Sequence, residues 1–305
     1  MDYNIFDGHC DTMYELLIEN KDGNIVKNNL HFSFNNTKDY KKYIQVLALY
    51  SDPKRNNNGY MKEFLKETLF HLKENNIKII KDFKDLKENN YGVVLGIEGA
   101  DEINSIEDLY YFYNKGIRVL TLTWNGKNKI GYGALSGCNN GLTSFGKEVV
   151  SEINNLKMAV DVSHLNERGF YDCIELSGKP IIASHSCSYT LCSHKRNLKD
   201  EQFKALIKNK GVCGINFCID FLNENGRADI EDVVRHIEYF CSLGGEKNIG
   251  LGSDFDGIPA LPFGLSSNKD IYLILNELLK LNYNEENVKN IAFYNFYNLF
   301  FEILK

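Results

Sequence analysis

The sequence lacks any hydrophobic run that could cross a membrane, because a spanning helix needs about 18 or more largely apolar residues. It also lacks the basic and apolar segments of an N-terminal secretory signal, so we expect a cytoplasmic protein. No basic stripe is present and the net charge is −6, which argues against nucleic acid as a partner. Neither a membrane nor a nucleic acid is therefore an expected partner.

No linker rich in proline, glycine or serine divides the chain, and no repeat period is found. We therefore expect residues 1–305 to form a single domain. The eight cysteines include no C-x-x-C pair and are scattered, so we expect free thiols, several of them buried in strands. The asparagine run at 56–58 is expected to lie in a solvated loop.

Eight apolar segments rich in β-forming residues recur along the chain, and most are continuously apolar rather than alternating. This pattern is typical of parallel strands that are buried on both faces. The predicted strands are Tyr3–Phe6, Tyr43–Tyr50, Tyr91–Ile97, Arg118–Trp124, Met158–Val162, Pro180–Ser184, Gly211–Phe217 and Asn248–Ser253.

Segments with a hydrophobic period near 3.6 residues follow these strands and predict helices. Ser105 and Asp229 are predicted N-caps, and Gly116, Gly178 and Gly244 fall just past helix ends. The alternation predicts an α/β fold, a (β/α)8 TIM barrel with an additional C-terminal helix. A doubly wound open sheet is the alternative, but no G-x-G-x-x-G follows the first strand. The predicted helices are Met61–Glu74, Ile106–Asn114, Phe145–Asn155, Arg168–Leu176, Glu201–Asn209, Ile230–Ser242, Asp270–Leu281 and Glu286–Ile303.

Polar side chains follow five of the predicted strands, at the end of the barrel where TIM-barrel active sites lie. Three of the 7 histidines fall at this rim together with three carboxylates. Such a crowd of carboxylates near neutral pH needs cations to offset its repulsion. The set suits two divalent ions, each with imidazole and carboxylate ligands, while Cys10 is expected to point into the core. The rim residues are His9, Asp11, Glu98, His164, His185 and Asp254.

Six sequence blocks carry a family resemblance. In order and spacing they resemble the membrane (renal) dipeptidase family of binuclear zinc metallopeptidases, as a soluble member of bacterial type. The resemblance extends from Phe6 to about Phe296. The blocks are Asp7–Asp11, Gly96–Gly99, Asp161–His164, Ser184–Ser186, Lys195–Asp200 and Gly250–Gly257.

The resemblance implies two zinc ions per chain and a role for each metal ligand. His9 and Asp11 would hold one zinc ion, His164 and His185 the other, and Glu98 would bridge both. The implied reaction is hydrolysis of a small dipeptide by a hydroxide that bridges the two ions. The family also implies a possible homodimer.

Two residues outside the metal ligands have implied roles in the reaction. Asp254 would accept the proton of the attacking water and deliver it to the leaving amine. Arg196 would bind the free C-terminal carboxylate of the substrate, which would explain a preference for dipeptides over longer chains.

Three positions depart from the family pattern. Trp124 stands where family members carry a histidine that contacts the substrate, so transition-state stabilisation would fall to zinc, with Asn125 as a further candidate. Cys218 stands where a tyrosine is frequent, and Phe293-Tyr294-Asn295 replaces Gly-Gly-Asn. The first two departures bear on substrate choice, and the third bears on local packing.

Two other classes of function stay open. One is a binuclear-metal amidohydrolase or lactonase acting on a small non-peptide amide or ester, which Trp124 and Cys218 favour. A substrate without a carboxylate would not need Arg196. The other is a metal-holding barrel that binds a ligand without turnover, although Glu98 and Asp254 are both present.

The remaining polar residues are expected to have structural roles. His31 and His71 are expected to be solvated, and His236 to pack or form hydrogen bonds. His194 is a candidate for the rim of the pocket because it adjoins the substrate-binding block. Asp256 is expected to order the loop after the eighth strand.

Overall fold

Eight parallel strands close into a barrel in the order in which they occur along the chain, which confirms the predicted architecture. The computed structural model describes residues 3–55 and 59–305, so the predicted asparagine loop at 56–58 lies outside the described residues. The strands are β1 (Asn4–Cys10), β2 (Lys42–Tyr50), β3 (Tyr91–Glu98), β4 (Ile117–Thr121), β5 (Ala159–Asp161), β6 (Ile182–Ser186), β7 (Val212–Ile215) and β8 (Ile249–Leu251).

Every connection between consecutive strands contains at least one helix. Within the described part of the chain, no helix has the length and apolar character needed to cross a membrane. The α-helices are α1 (Thr12–Leu17), α2 (Tyr60–Glu74), α3 (Phe83–Glu88), α4 (Ile106–Lys115), α5 (Ser144–Asn155), α6 (Glu167–Leu176), α7 (Asp200–Lys208), α8 (Ile219–Leu222), α9 (Ile230–Ser242), α10 (Ile271–Lys280), α11 (Glu285–Lys289) and α12 (Asn295–Ile303). Short 3₁₀ helices are Phe34–Thr37 and Asn268–Asp270.

The predicted caps are found. The Ser105 side chain accepts a hydrogen bond from the Asp108 backbone at the start of α4, and Asp229 forms a capping box at the start of α9. Gly116 ends α4 with φ of 109°, in the left-handed region that glycine enters without steric cost.

Several predicted element bounds are wrong, and three errors are large. The first strand extends to Cys10 instead of ending at Phe6. The predicted strand Arg118–Trp124 ends at Thr121, because beyond it the Leu122 carbonyl accepts a hydrogen bond from Asn128 Nδ2 in the following loop. The single helix predicted over 286–303 is divided between α11 and α12 by a π-helical stretch, Asn290–Tyr294, whose last backbone bond joins the Asn295 N–H to the Asn290 carbonyl.

The last helix closes the N-terminal end of the barrel. Phe6 on β1 stacks on Phe296 and Phe300 of α12, with ring centroids 5.6 and 5.1 Å apart. Phe293 is also buried and lies 6.2 Å from Phe6, so the departure from Gly-Gly-Asn at this position fills the closed end of the barrel. A side chain at Gly250 would overlap the Phe296 ring. The opposite, C-terminal end of the barrel is therefore the end that is left to form a site.

Candidate active site

Five side chains of metal-ligand type converge at the C-terminal end of the barrel. His9 lies in β1 and His185 in β6, while Glu98 is the last residue of β3. Asp11 directly follows β1, and His164 follows β5 by three residues. All five side chains are buried or nearly so. The barrel therefore brings together residues that are up to 176 positions apart in the sequence.

Glu98 lies at the centre of this group. Its Oε1 atom is 2.8 Å from His164 Nε2, 3.6 Å from His185 Nε2 and 3.9 Å from His9 Nε2. The Nε2 atoms of His164 and His185 are 2.9 Å apart, and His9 Nε2 is 3.3 Å from Asp11 Oδ2. One carboxylate oxygen thus faces three imidazole nitrogens, from β1, from β6 and from the segment that follows β5.

The outer nitrogens of two imidazoles are held by neighbouring side chains. Asn125 Oδ1 lies 2.9 Å from His164 Nδ1, and Ser184 Oγ lies 2.8 Å from His185 Nδ1. Ser184 Oγ in turn donates to Asp161 Oδ2 at 2.6 Å, so its lone pairs are left to accept a hydrogen bond. With the proton on Nδ1, each ring presents the Nε2 lone pair to the centre of the site.

The residues fit a divalent metal centre. His9 Nε2 and Asp11 Oδ1 are buried without a hydrogen-bond partner among the described residues, as atoms reserved for a cation would be. Two sets of three ligand atoms lie within 4.8 Å of one another. Imidazole nitrogen and carboxylate oxygen are the donors that zinc accepts in catalytic sites. The sets are His9, Glu98 and His185, and His9, Asp11 and Asp254.

The pKa values show how strongly these groups act on one another. Burial raises the pKa of the Glu98 carboxyl well above its usual range, and it raises that of Asp254. Burial lowers the pKa of His9, but the nearby carboxylates outweigh this effect and raise it to about 10. Burial lowers the pKa of His164 and of His185, so both rings are neutral and able to bind a metal ion.

Asp254 lies beside the metal-type ligands and is tightly positioned. Asn216 Nδ2 donates to Asp254 Oδ2 at 2.9 Å, and Asn216 Oδ1 accepts from the backbone N–H of Cys218 at 2.6 Å. The backbone of Asp254 has φ of 59° and its N–H donates to the His9 carbonyl. Such left-handed backbone in a residue other than glycine is concentrated at functional sites.

Sequence reasoning missed Asn216. It directly follows β7, at the same rim as the residues that were singled out. Its position at the C-terminal end of an apolar run is the signal that could have identified it. A single asparagine in that position did not by itself indicate a functional site.

Arg196 is a buried cation in the loop between β6 and α7. Its side chain is 4% exposed, and neither Nε nor Nη2 has a hydrogen-bond partner within residues 3–55 and 59–305. Its guanidinium carbon lies 5.5 Å from the centre of the Phe221 ring. Since buried charged groups without hydrogen-bond partners are costly, these two nitrogens are suited to an anionic ligand.

One cavity of about 420 Å³ connects these residues. Asp11, Glu98, His164, Arg196 and Asp254 all line it. Trp124 and Cys218, which depart from the family pattern, line it as well, and so does Asn125. A small molecule in this cavity would therefore meet the metal-type ligands, the buried arginine and the unusual side chains together.

The other histidines have definite partners. His31 Nδ1 accepts from the backbone of Asp256, and His71 Nε2 accepts from the backbone of Ile25, each at 3.1 Å. The expectation that these two histidines are solvated is only partly correct, because both are half-buried and each accepts a hydrogen bond from a loop N–H. His236 is buried and hydrogen-bonded, as expected.

The remaining expectations on local roles agree with the contacts. The Asp256 carboxylate accepts from the backbone of His31 at 2.7 Å and from Thr12 Oγ1 at 2.5 Å, so it orders the loops at this rim. His194 lines the cavity and stacks on Phe221 with ring centroids 4.5 Å apart. The eight cysteines are free thiols, and Cys10 is buried in the core.

A closed parallel barrel with imidazoles and carboxylates at its C-terminal rim is typical of metal-dependent hydrolases. The sequence profile of the membrane dipeptidase family (peptidase family M19) matches residues 1–303. The chain belongs to this family, which confirms the resemblance found in the sequence.

Relatives in sequence agree with this assignment. The chain is 39% identical over 180 residues to an uncharacterized dipeptidase of Schizosaccharomyces pombe, a match that covers 57% of this chain and 43% of that protein. The chain therefore spans less than half the length of this relative. It is 37% identical over 204 residues to an uncharacterized protein of Klebsiella pneumoniae, covering 63% of this chain and 75% of that one.

Solved structures share the fold over its whole length. Dipeptidase AC, a metallo peptidase of family M19, superposes with a TM-score of 0.90 at 25% identity, covering 100% of this chain and 99% of that one. A metallo peptidase from Rhodobacter sphaeroides, liganded with a phosphinate mimic of the dipeptide L-Ala-D-Ala, superposes with a TM-score of 0.89 at 24% identity, covering 100% of both chains.

Proposed function

We propose that the protein is a zinc-dependent dipeptidase of the cytoplasm, with two zinc ions per chain. The observation that carries the proposal is the buried guanidinium of Arg196, whose Nε and Nη2 atoms have no hydrogen-bond partner among the described residues, in the same cavity as Asp11, Glu98 and His164. A hydrolase that cuts inside long peptides needs no receptor for a terminal carboxylate, whereas a dipeptidase does. A planar guanidinium binds a carboxylate through two parallel hydrogen bonds.

The metal ions would be held by the five converging side chains. His9 and Asp11 would bind one ion, His164 and His185 the other, and Glu98 would lie between them. When bound, two such ions polarise a carbonyl oxygen and lower the pKa of a water molecule that attacks it. Family membership and the fit of the residues support this assignment.

Asp254 would move the proton during hydrolysis. One of its oxygens, Oδ2, accepts the hydrogen bond from Asn216, which leaves Oδ1 to take a proton from the attacking water. Burial raises the pKa of this carboxyl, which brings it closer to the pKa range of an effective general base at neutral pH. The same proton would pass to the amine as the peptide C–N bond breaks.

Arg196 would fix the position of the scissile bond by holding the substrate carboxylate. In a dipeptide, this carboxylate is separated from the scissile carbonyl by a single residue, so the length of the substrate would be selected by the same contact. Trp124 has no imidazole to offer to the carbonyl, so stabilisation of the developing charge would fall to the metal ions. Asn125 Oδ1 already faces His164, which leaves only its Nδ2 group for substrate.

A substrate panel tests the proposal. Zinc-loaded protein should hydrolyse L,L and L,D dipeptides, lose activity with a chelator and regain it with added zinc. N-acyl amides, lactones and dipeptide amides serve as comparison substrates, because they lack the free carboxylate. Turnover of these compounds but of no dipeptide would favour the amidohydrolase or lactonase alternative. No turnover of any compound, with two zinc ions bound per chain, would contradict the assignment as an enzyme of this class.

A further inference from the structure

Three aromatic side chains form a continuous wall on one side of the catalytic cavity. Tyr14 lies on α1, Tyr50 ends β2 and Trp124 follows β4. The ring centroids of Tyr14 and Tyr50 are 5.3 Å apart, and those of Tyr50 and Trp124 are 5.2 Å apart. The Trp124 ring lies 6.1 Å from the ring of His164. All three aromatic residues line the cavity, so the wall extends from its edge to a proposed metal ligand.

Contacts behind the wall hold its rings in place. The Tyr14 hydroxyl donates to Asp52 Oδ2 at 2.9 Å, and its ring packs edge-on against Phe64 at 6.4 Å. Behind Trp124 lies Gly99, with φ of 83°, where even a methyl group would come within 3.3 Å of the Trp124 Cβ. A surface that is already ordered loses little conformational entropy when a ligand binds to it.

The wall and the arginine lie at different strands of the rim, with β5 between them on one side and β7 and β8 on the other. Tyr14 and Trp124 follow β1 and β4 and Tyr50 ends β2, whereas Arg196 follows β6 in the same closed barrel. A dipeptide with its carboxylate on Arg196 and its scissile bond at the metal-type ligands would extend its N-terminal residue toward the wall. Glu15, which also lines the cavity, follows β1 on the wall side and offers a negative charge to the free amine.

We propose that the wall formed by Tyr14, Tyr50 and Trp124 is the subsite for the side chain of the N-terminal residue. The preferred substrates are then dipeptides with an aromatic or large aliphatic residue at that position. This inference rests on the proposed dipeptidase function. Stacking on the wall and removal of apolar surface from water favour such side chains by about 10- to 100-fold over glycine.

Steady-state kinetics test the subsite. With zinc-loaded enzyme, kcat/KM for Phe-Ala and Leu-Ala should exceed that for Gly-Ala by about tenfold or more. Trp124→Ala should lower kcat/KM for Phe-Ala by about tenfold and lower it less for Gly-Ala. Phe70→Ala, which removes a 61% exposed ring of α2 outside the cavity, is the matched control and should change neither value.

Intrinsic fluorescence supplies a second readout that does not need turnover. Trp124 is the only tryptophan of the chain, so its emission reports directly on the wall. A reduced-amide analogue of Phe-Ala, in which CH₂–NH replaces the peptide bond, should shift this emission on binding to the zinc-loaded protein. It should also bind about tenfold more tightly than the analogue of Gly-Ala.

Two outcomes overturn the subsite while leaving the dipeptidase function in place. One is equal kcat/KM for Phe-Ala and Gly-Ala, and the other is an equal loss of both in Trp124→Ala. Binding of the Phe-Ala analogue without any change in tryptophan emission contradicts the subsite as well. Absence of turnover for every dipeptide overturns the proposed function itself. The fluorescence titration then shows whether the wall still binds the Phe-Ala analogue.

Discussion

Arg196 is the residue whose surroundings constrain the function most closely. A cation that is 96% buried would ordinarily be paired, yet two of its nitrogens lack a partner in the described part of the chain. Burial lowers the pKa of its guanidinium, but arginine keeps its charge at any pH at which proteins are stable. Among the described residues, the fold therefore leaves two buried guanidinium nitrogens at the cavity without a hydrogen-bond partner, and a substrate carboxylate would supply one.

Replacing this side chain should affect substrate binding more than the chemical step. Arg196→Ala should raise KM for dipeptides about 10- to 100-fold, because the charge-assisted hydrogen bonds to the carboxylate are lost. Dipeptide amides, which have no carboxylate, should bind equally to the wild-type and variant proteins. Arg227→Ala, at an exposed arginine, is the control. An unchanged KM for dipeptides would remove Arg196 from this role.

Asn125 should act on the metal site through His164. Its Oδ1 atom is 2.9 Å from His164 Nδ1, and such a partner orients the ring and makes the other nitrogen a better ligand. Asn125→Ala should weaken zinc binding about 10- to 100-fold, measured by competition with a chromophoric chelator. Asn225→Ala, at an exposed asparagine, should not change the competition. Equal zinc affinity in wild-type and Asn125→Ala protein would show that the contact does not tune the ligand.

At the scale of elements, apolar patterning predicted each strand but, apart from Tyr50 at the end of β2, not its exact end at the rim. The residues that leave the strands there have backbone conformations that no hydrophobic pattern encodes. His164 has φ of 67° and Asp254 has φ of 59°. The His164 carbonyl accepts from the Ala134 N–H in the loop after β4, and the Asp254 N–H donates to the His9 carbonyl of β1. The apolar period of residues 286–303 likewise predicted a helix correctly. It did not indicate the π-helical stretch, in which a turn contains an extra residue.

His236 links two elements near the cavity and should make stability depend on pH. Its Nδ1 atom accepts from the Ser188 backbone and its Nε2 atom faces the Leu222 carbonyl, both at 3.0 Å, so the ring must be neutral. Burial is the main cause that lowers its pKa to about 4. In an unfolded chain its pKa is about 6.5, so below that pH protons bind preferentially to the unfolded state.

The contribution of His236 to stability is therefore fully present above pH of about 6.5 and is lost as the pH falls toward about 4. Between pH 7 and pH 5 the loss should be about 2 kcal/mol. His236→Gln should be less stable at pH 7 but should lose correspondingly less on acidification, as measured by urea unfolding at both pH values. An identical pH dependence in the two proteins would contradict this account.

At the scale of the molecule, barrel closure explains what the sequence could and could not predict. The barrel and the rim position of the ligand-type residues follow from alternating strands and helices, because parallel strands must end at one edge. The aromatic wall could not be predicted, since Tyr14, Tyr50 and Trp124 become neighbours only when the barrel closes. The single domain, the homodimer and the cytoplasmic location stay predictions.

The closure of the barrel by α12 should support stability without affecting substrate. Phe296 is 1% exposed and packs against Phe6 at the end of the barrel opposite the cavity. Phe296→Ala should lower the free energy of unfolding by about 3–5 kcal/mol, because it opens a cavity in a close-packed region. KM should stay at the wild-type value. Phe70→Ala is the surface control, and a loss below about 1 kcal/mol in Phe296→Ala would contradict this role.

The most direct test of the two-metal centre is X-ray diffraction at the zinc absorption edge from crystals of the zinc-loaded protein. We predict two anomalous peaks about 3.5–4 Å apart. One should lie about 2.0–2.2 Å from ligand atoms of His9 and Asp11, the other equally close to His164 and His185, with Glu98 bound to both. A single peak, or two peaks away from these residues, in protein that hydrolyses dipeptides would contradict the account.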